Sequence, residues 1–310
     1  MGTFTTTLSQ IAYLFLLIGV GYTVMKVCKL PSNATNIVSK LVTTALMPSL
    51  ILSNFMENFT LDRLKSSWQF ALGGIILTVL SLSLAWLISG LTAKNSYLRR
   101  IHIYSLGFSN FGFMGTAVVS TLVPELFMSY LIMCTPIWIV NYSWAVPGLL
   151  MPNEKGRGFR PKNLLNPLFI AMLIGIVIGL SGIHMPPFIN TAISSLGKCM
   201  SPATMLLTGM CVAKIDIKRV LKIKSIYVLS FIRLLLMPLI FLGFLLIYKI
   251  DYGVALCATC VLAMPLGLNS VVIPESHGCD TSEASGMAIV SHLSSALTIP
   301  LVLTLFEMIM

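Results

Sequence analysis

Ten apolar runs, each about as long as a bilayer is thick, follow one another along a chain of 310 residues. They lie near 9–28, 36–56, 67–91, 101–122, 127–150, 165–182, 189–212, 225–248, 252–273 and 283–308. A helix needs about 20 mostly apolar residues to cross a hydrocarbon core of ~30 Å. Strands of a membrane barrel would be half that length and would alternate in polarity, which these runs do not. Lipid offers the backbone no hydrogen-bond partner, so a spanning run must satisfy its own peptide groups as a helix. Only 10% of the residues are charged, where a soluble domain carries about 25%. So few charges cannot cover a globule in water. The expectation is an all-α integral membrane protein with ten transmembrane helices. A soluble enzyme, a secreted disulfide scaffold, a disordered chain and a nucleic-acid binder are excluded.

The loops orient it. Of 20 Lys and Arg, fifteen fall in or beside alternate loops: Lys26, Lys29 and Lys40; Lys94, Arg99 and Arg100; Lys155, Arg157, Arg160 and Lys162; Lys214, Lys218, Arg219, Lys222 and Lys224. The opposite side has Arg63, Lys65 and Lys249, while Lys198 and Arg233 lie inside runs. Positive charge stays cytoplasmic, so both termini are expected outside a multi-pass plasma (inner) membrane protein. This topology accounts for the net charge of +10 without an acidic partner. The first run has no positive charge ahead of it and is read as a retained span, not a cleaved leader. Of seven Cys, Cys257 and Cys260 have CxxC spacing, but no second pair or His cluster accompanies them. They read as small apolar packing residues, and no metal or cofactor is expected.

The basic segment 153–162 divides the runs five and five. The domain reading is a first repeat over 1–151, a cytoplasmic linker over 152–164 and a second repeat over 165–310. Five is odd, so the second half enters the membrane from the other side, as an inverted repeat. Prolines support it: Pro48 and Pro202 are 154 residues apart, and Pro147 and Pro300 are 153 apart. The fourth run contains Gly107-Phe-Ser-Asn-Phe-Gly-Phe-Met-Gly-Thr116, and the ninth contains Leu262-Ala-Met-Pro-Leu-Gly-Leu-Asn-Ser270. Such Gly and Pro density makes poor helix. Interrupted spans in matching positions of two halves point to a transporter's binding site, with half-helix N-termini facing an anion. The candidate substrate-binding residues are Asn110, Gly112, Gly115, Thr116, Pro265, Gly267, Asn269 and Ser270.

At Asn110-Phe-Gly-Phe-Met-Gly115, Met264-Pro-Leu-Gly-Leu-Asn269 and Ser294-Ser-Ala-Leu-Thr-Ile-Pro300 the sequence resembles the auxin efflux carrier family of permeases. That family includes bacterial malate permeases and plant auxin exporters. The resemblance implies two inverted five-helix repeats, similar to sodium–proton antiporters and bile-acid symporters, with helices four and nine broken and crossing near mid-membrane. It also implies a scaffold from helices 1, 2, 6 and 7, a transport domain from helices 3–5 and 8–10, and a homodimer. Where many relatives have Gly-Ile-Pro, this chain reads Gly115-Thr116-Ala117, which leaves the unwinding point of helix four open.

The remaining polar residues carry paired readings. All ten Asp and Glu lie in loops or near run ends, so no carboxylate is expected at mid-bilayer to bind a coupling cation. Asn110 and Asn269 could bind a substrate carboxylate or cap the broken helices. Lys198 is expected to be the deepest cation, attracting an anion or snorkelling outward. Arg233 is read as an interfacial snorkeller or a pairing residue. His292, near Ser294, Ser295 and Thr298, could couple transport to protons or only pack. Pro48 and Pro202 are expected to break their helices, with Thr43, Thr44, Ser201 and Thr204 lining the cavity. No HExxH, GxSxG, P-loop or paired carboxylate marks an enzyme. The functional reading is a carrier of small organic anions, such as malate or an aromatic acid, working by alternating access; export is the direction the resemblance implies. The alternative is a membrane receptor that binds a small molecule or lipid without moving it. The expected partners are the anion, membrane lipid and a second copy of the chain, with no nucleic acid.

Overall fold

Every apolar run folds into helix, and the breaks between helices decide the architecture. The structure is a computed structural model that describes residues 2–151, 167–183, 185–214 and 216–310. The expected linker 152–164 lies outside the described residues. The helices used below are α1 (Gly2–Val27), α2 (Ala34–Asn58), α3 (Trp68–Thr92), α4 (Ser96–Gly107), α5 (Thr116–Leu122), α6 (Pro124–Leu150) and α7 (Pro167–Ser181). They continue as α8 (Pro187–Lys198), α9 (Met200–Lys214), α10 (Lys224–Ile247), α11 (Tyr252–Ala263), α12 (Asn269–Ser276) and α13 (Ser282–Ile309). Among the described residues there is no strand, only one isolated bridge between Ser109 and Leu266. Five helices (α2, α3, α6, α10 and α13) are each long and apolar enough to cross a membrane. The fourth, seventh and ninth runs are each divided in two, as α4 and α5, α8 and α9, and α11 and α12.

Proline acts differently from expectation in the second run. Pro48 does not break α2; the helix runs through it after widening into a π-turn over Val42–Leu46. Proline lacks an N–H and its ring crowds the carbonyl four residues back, and a wider turn relieves that crowding. Pro238 follows a second π-turn, Ile232–Leu236, in α10, and Pro147 lies inside a π-helical stretch, Asn141–Leu150, in α6. The seventh run does break, at Cys199, three residues before Pro202. There the Lys198 carbonyl is the acceptor that Pro202 has no N–H to reach.

Small residues set the closest helix contacts, because they let backbones approach. α1 packs on α9 with Gly21 against the Leu206 carbonyl; a Cβ there would lie 2.0 Å from that oxygen. α2 packs on α7 with Gly175 against Phe55 and Leu52; a Cβ at Gly175 would lie 3.1 Å from the Leu52 carbonyl oxygen. α3 packs against α4 and α6. Against this frame the breaks of the fourth and ninth runs meet.

Candidate functional site

The two breaks cross and pair. α4 stops at Gly107, and the chain runs extended through Phe108 and Ser109 before re-entering helix through a π-turn, Phe111–Gly115. α11 stops at Ala263, and residues 264–268 lead into α12. The Asn110 main-chain N–H donates to the Pro265 carbonyl at 2.7 Å, beside the Ser109–Leu266 bridge. Gly267 permits the approach: a Cβ there would lie 2.5 Å from the Phe108 carbonyl oxygen.

A broken helix leaves carbonyls behind and N–H groups ahead. Several carbonyls at the crossing find donors. Ser109 Oγ donates to the Val261 carbonyl at 2.8 Å, and the Tyr130 hydroxyl donates to that of Phe111 at 2.9 Å. Arg233 donates through Nε to the Met264 carbonyl (3.3 Å), through Nη1 to Leu106 (3.1 Å) and through Nη2 to Val261 (2.8 Å). Its side chain is among the largest that are fully buried.

Beside the crossing lies a narrow cavity of about 20 Å³. It is lined by Tyr104 of α4, by Ser109, Asn110, Phe111 and Gly112 of the first break, and by Gly267, Leu268 and Asn269 of the second. Leu50, Ile51 and Asn54 of α2 and Trp138, Asn141 and Tyr142 of α6 complete the wall. No lining side chain carries a formal charge. Residues at both helix restarts, Phe111 and Gly112 and Leu268 and Asn269, line this space, and a helix start carries partial positive charge. A roomier hollow of about 480 Å³ runs along α3, α10 and α11, but Gln69 and Ser81 alone interrupt its apolar wall with polar side chains.

The amides of the cavity are only partly satisfied. Asn110 Nδ2 lies 2.9 Å from His292 Nε2, and His292 Nδ1 lies 2.7 Å from the Ala288 carbonyl. A carbonyl only accepts, so in neutral His292 the Nδ1 carries the proton and Nε2 receives the Asn110 amide. Asn269 Nδ2 donates to the Tyr104 hydroxyl at 2.9 Å. The side-chain oxygens of Asn110, Asn141 and Asn269 are buried and have no partner among the described residues. A hydroxyl both donates and accepts. The Asn269 amide can therefore turn over, keep Tyr104 as partner and offer its NH2 to the cavity.

Of the residues expected from the sequence, Asn110, Gly112, Gly267 and Asn269 line this cavity. Pro265 supports it through its carbonyl, while the Thr116 and Ser270 hydroxyls bond back to the carbonyls of Gly112 and Gly267. Gly115 packs against the Tyr130 hydroxyl. His292 joins through Asn110, and the Ser295 hydroxyl is spent on the His292 carbonyl. Thr43, Thr44, Pro48, Ser201, Pro202 and Thr204 are absent from the cavity wall. The Thr44 and Thr204 hydroxyls bond to the Lys40 and Met200 carbonyls of their own helices. Lys198 is exposed at the end of α8, while Arg233 is 1% exposed and no snorkeller. Neither Asn caps a helix through its side chain. Sequence reasoning missed Asn54, Tyr104, Trp138, Asn141 and Tyr142. Asn54 and Asn141 left a signal, each as an amide within an apolar run.

A family model described as membrane transport protein matches residues 6–163 and 159–303, nearly the whole chain. No curated protein matches it.

Proposed function

The chain belongs to the membrane transport protein family, that of the auxin efflux carriers, and from that premise we propose that it carries small organic anions by alternating access, with the cavity at the crossing as the binding site. The observation that carries this reading is the pairing of Asn110 N–H with the Pro265 carbonyl. It joins two broken helices beside a cavity lined by residues at both helix restarts. A carboxylate there would receive main-chain N–H groups and the Asn269 amide. Leu50, Ile51, Phe111 and Trp138 would hold the apolar body of the anion.

Alternating access needs two bodies that move against each other. We read them as helices of an inverted repeat, with α1, α2, α7, α8 and α9 as scaffold and the remainder as the moving part. Two observations support that reading. A shift of 154 residues carries Gly21 onto Gly175 and Leu52 onto Leu206, so the contact of Gly21 with Leu206 maps onto that of Gly175 with Leu52. The left-handed residues that end α1 and α7, Lys29 (φ 48°) and Gly182 (φ 68°), stand 153 apart. Export, a second copy of the chain and a plasma-membrane location with both termini outside belong to the same proposal.

The test is flux of labelled mono- and dicarboxylates into and out of proteoliposomes, with and without pH or sodium gradients. The proposal expects saturable movement of at least one class. Binding without movement would favour a receptor instead.

A further inference from the structure

Arg233 is a cation set deep in an apolar helix, 1% exposed, and no carboxylate among the described residues pairs with it. Its Nε, Nη1 and Nη2 instead donate to the ends of two interrupted helices. One is the C-terminal end of α4, at the Leu106 carbonyl; the other is that of α11, at the Val261 and Met264 carbonyls. The Met237 sulfur lies 3.7 Å from Nη1. A helix C-terminus carries about half an elementary negative charge. Two such ends therefore sum to about one negative charge, which one guanidinium balances. Its flat fork reaches three separated carbonyls, where a Lys ammonium is a single compact point. The side chain belongs to the π-turn Ile232–Leu236, a local widening of the kind that recurs at functional sites.

We infer that Arg233 is a positioning residue that serves as a fixed internal cation at the crossing, in the place where a carrier of this design would otherwise bind a monovalent metal ion. It neutralises the negative helix ends at the crossing. The positive ends, whose residues line the cavity, stay uncompensated. The site is therefore preset for an anion, and transport of that anion needs no sodium or potassium ion bound alongside it. The flux part of this inference rests on the transport reading; the electrostatic part does not.

The experiment compares the unaltered protein with Arg233→Gly and Arg233→Lys, purified in detergent and in proteoliposomes. Arg233→Gly is expected to unfold at lower temperature and to lose most of its flux. Millimolar guanidinium or methylguanidinium, returned as the missing group, raises its unfolding midpoint and restores part of the flux. The same salts leave the unaltered protein unchanged, and sodium chloride at equal ionic strength rescues less. Arg233→Lys, which keeps the charge, retains more stability and flux than Arg233→Gly without additives. Unaltered protein moves anions equally in sodium, potassium and choline media. A folded Arg233→Gly indifferent to guanidinium overturns the inference, as does an obligatory sodium or potassium requirement of the unaltered protein. If Arg233→Gly does not fold, Arg233→Lys decides: a folded, active Lys variant supports the fixed charge, and an unfolded one contradicts it. Thermal rescue without any flux in the unaltered protein would leave the internal cation standing and remove the transport reading.

Discussion

Asn110 does three things at once. Its main-chain N–H closes the crossing on Pro265, its amide nitrogen meets His292, and its amide oxygen is left without a partner. Asn110→Ala keeps the main-chain bond and removes the other two, so it is expected to fold and to lose flux by at least about tenfold, roughly 1.4 kcal/mol. Measuring both flux and unfolding midpoint checks this. Gly267→Ala should act the other way round. Its new methyl meets the Phe108 carbonyl, and overpacking against backbone costs about 1–3 kcal/mol, visible as a lowered unfolding midpoint. Asn110 and Asn269 were legible in the sequence because an amide among glycines and a proline is a local signal inside an apolar run. Arg233 was misjudged as an interfacial snorkeller because position along a run says nothing about which neighbour the helix turns its face to. Arg233 finds the helix ends, and Lys198 ends on an exposed face. Tyr104 and Trp138 reach the cavity through packing alone, which no local pattern marks.

Helical runs were readable at the scale of the element, and so were the breaks at the fourth and ninth. What proline would do in each was not. Pro48 and Pro238 each follow a π-turn that ends two residues earlier, and their helices continue. Pro202 follows a break. The difference lies in whether the preceding turn can widen while keeping its contacts, and that depends on neighbouring helices. Glycine gives the sharper prediction here. Gly21→Ala places a methyl against the Leu206 carbonyl, whereas Gly243→Ala on α10 meets open space. The first is expected to lower the unfolding midpoint of the purified protein. The second leaves it unchanged or raises it slightly, since Ala is favoured over Gly in a helix by up to about 1 kcal/mol.

Across the whole molecule, one polar cluster ties the first part of the chain to the crossing. Glu275, at the end of α12 and beyond the ninth apolar run, accepts hydrogen bonds from Thr35 (2.5 Å), Lys214 (2.9 Å) and Thr281 (2.8 Å). Asn36 donates to its main-chain carbonyl at 2.7 Å, and Ser39 donates to that of Val272. α2 and α9 are thereby latched to α12 at one end of the molecule. Burial pushes the Glu275 carboxyl up, but the donors from Thr35, Lys214 and Thr281 outweigh it and hold it below the ordinary value of 4.5. A carboxyl lowered in the folded state adds stability above its unfolded value, and that stability is lost as pH falls through its folded value. The unfolding midpoint should therefore drop on acidification below about pH 4.5. Glu275→Gln should flatten that part of the profile and lower the midpoint near neutrality; an unchanged acid profile would remove the latch.

The most direct test of the central claim is counterflow of a labelled carboxylate in proteoliposomes by two sets of variants of matched stability. Asn110→Ala and Asn269→Ala change the cavity wall, whereas Thr44→Ala and Ser201→Ala change residues outside it. The account predicts that the first pair loses counterflow and the second pair keeps it. Full counterflow in the first pair, or equal loss in both, would contradict the crossing as the place where the anion binds.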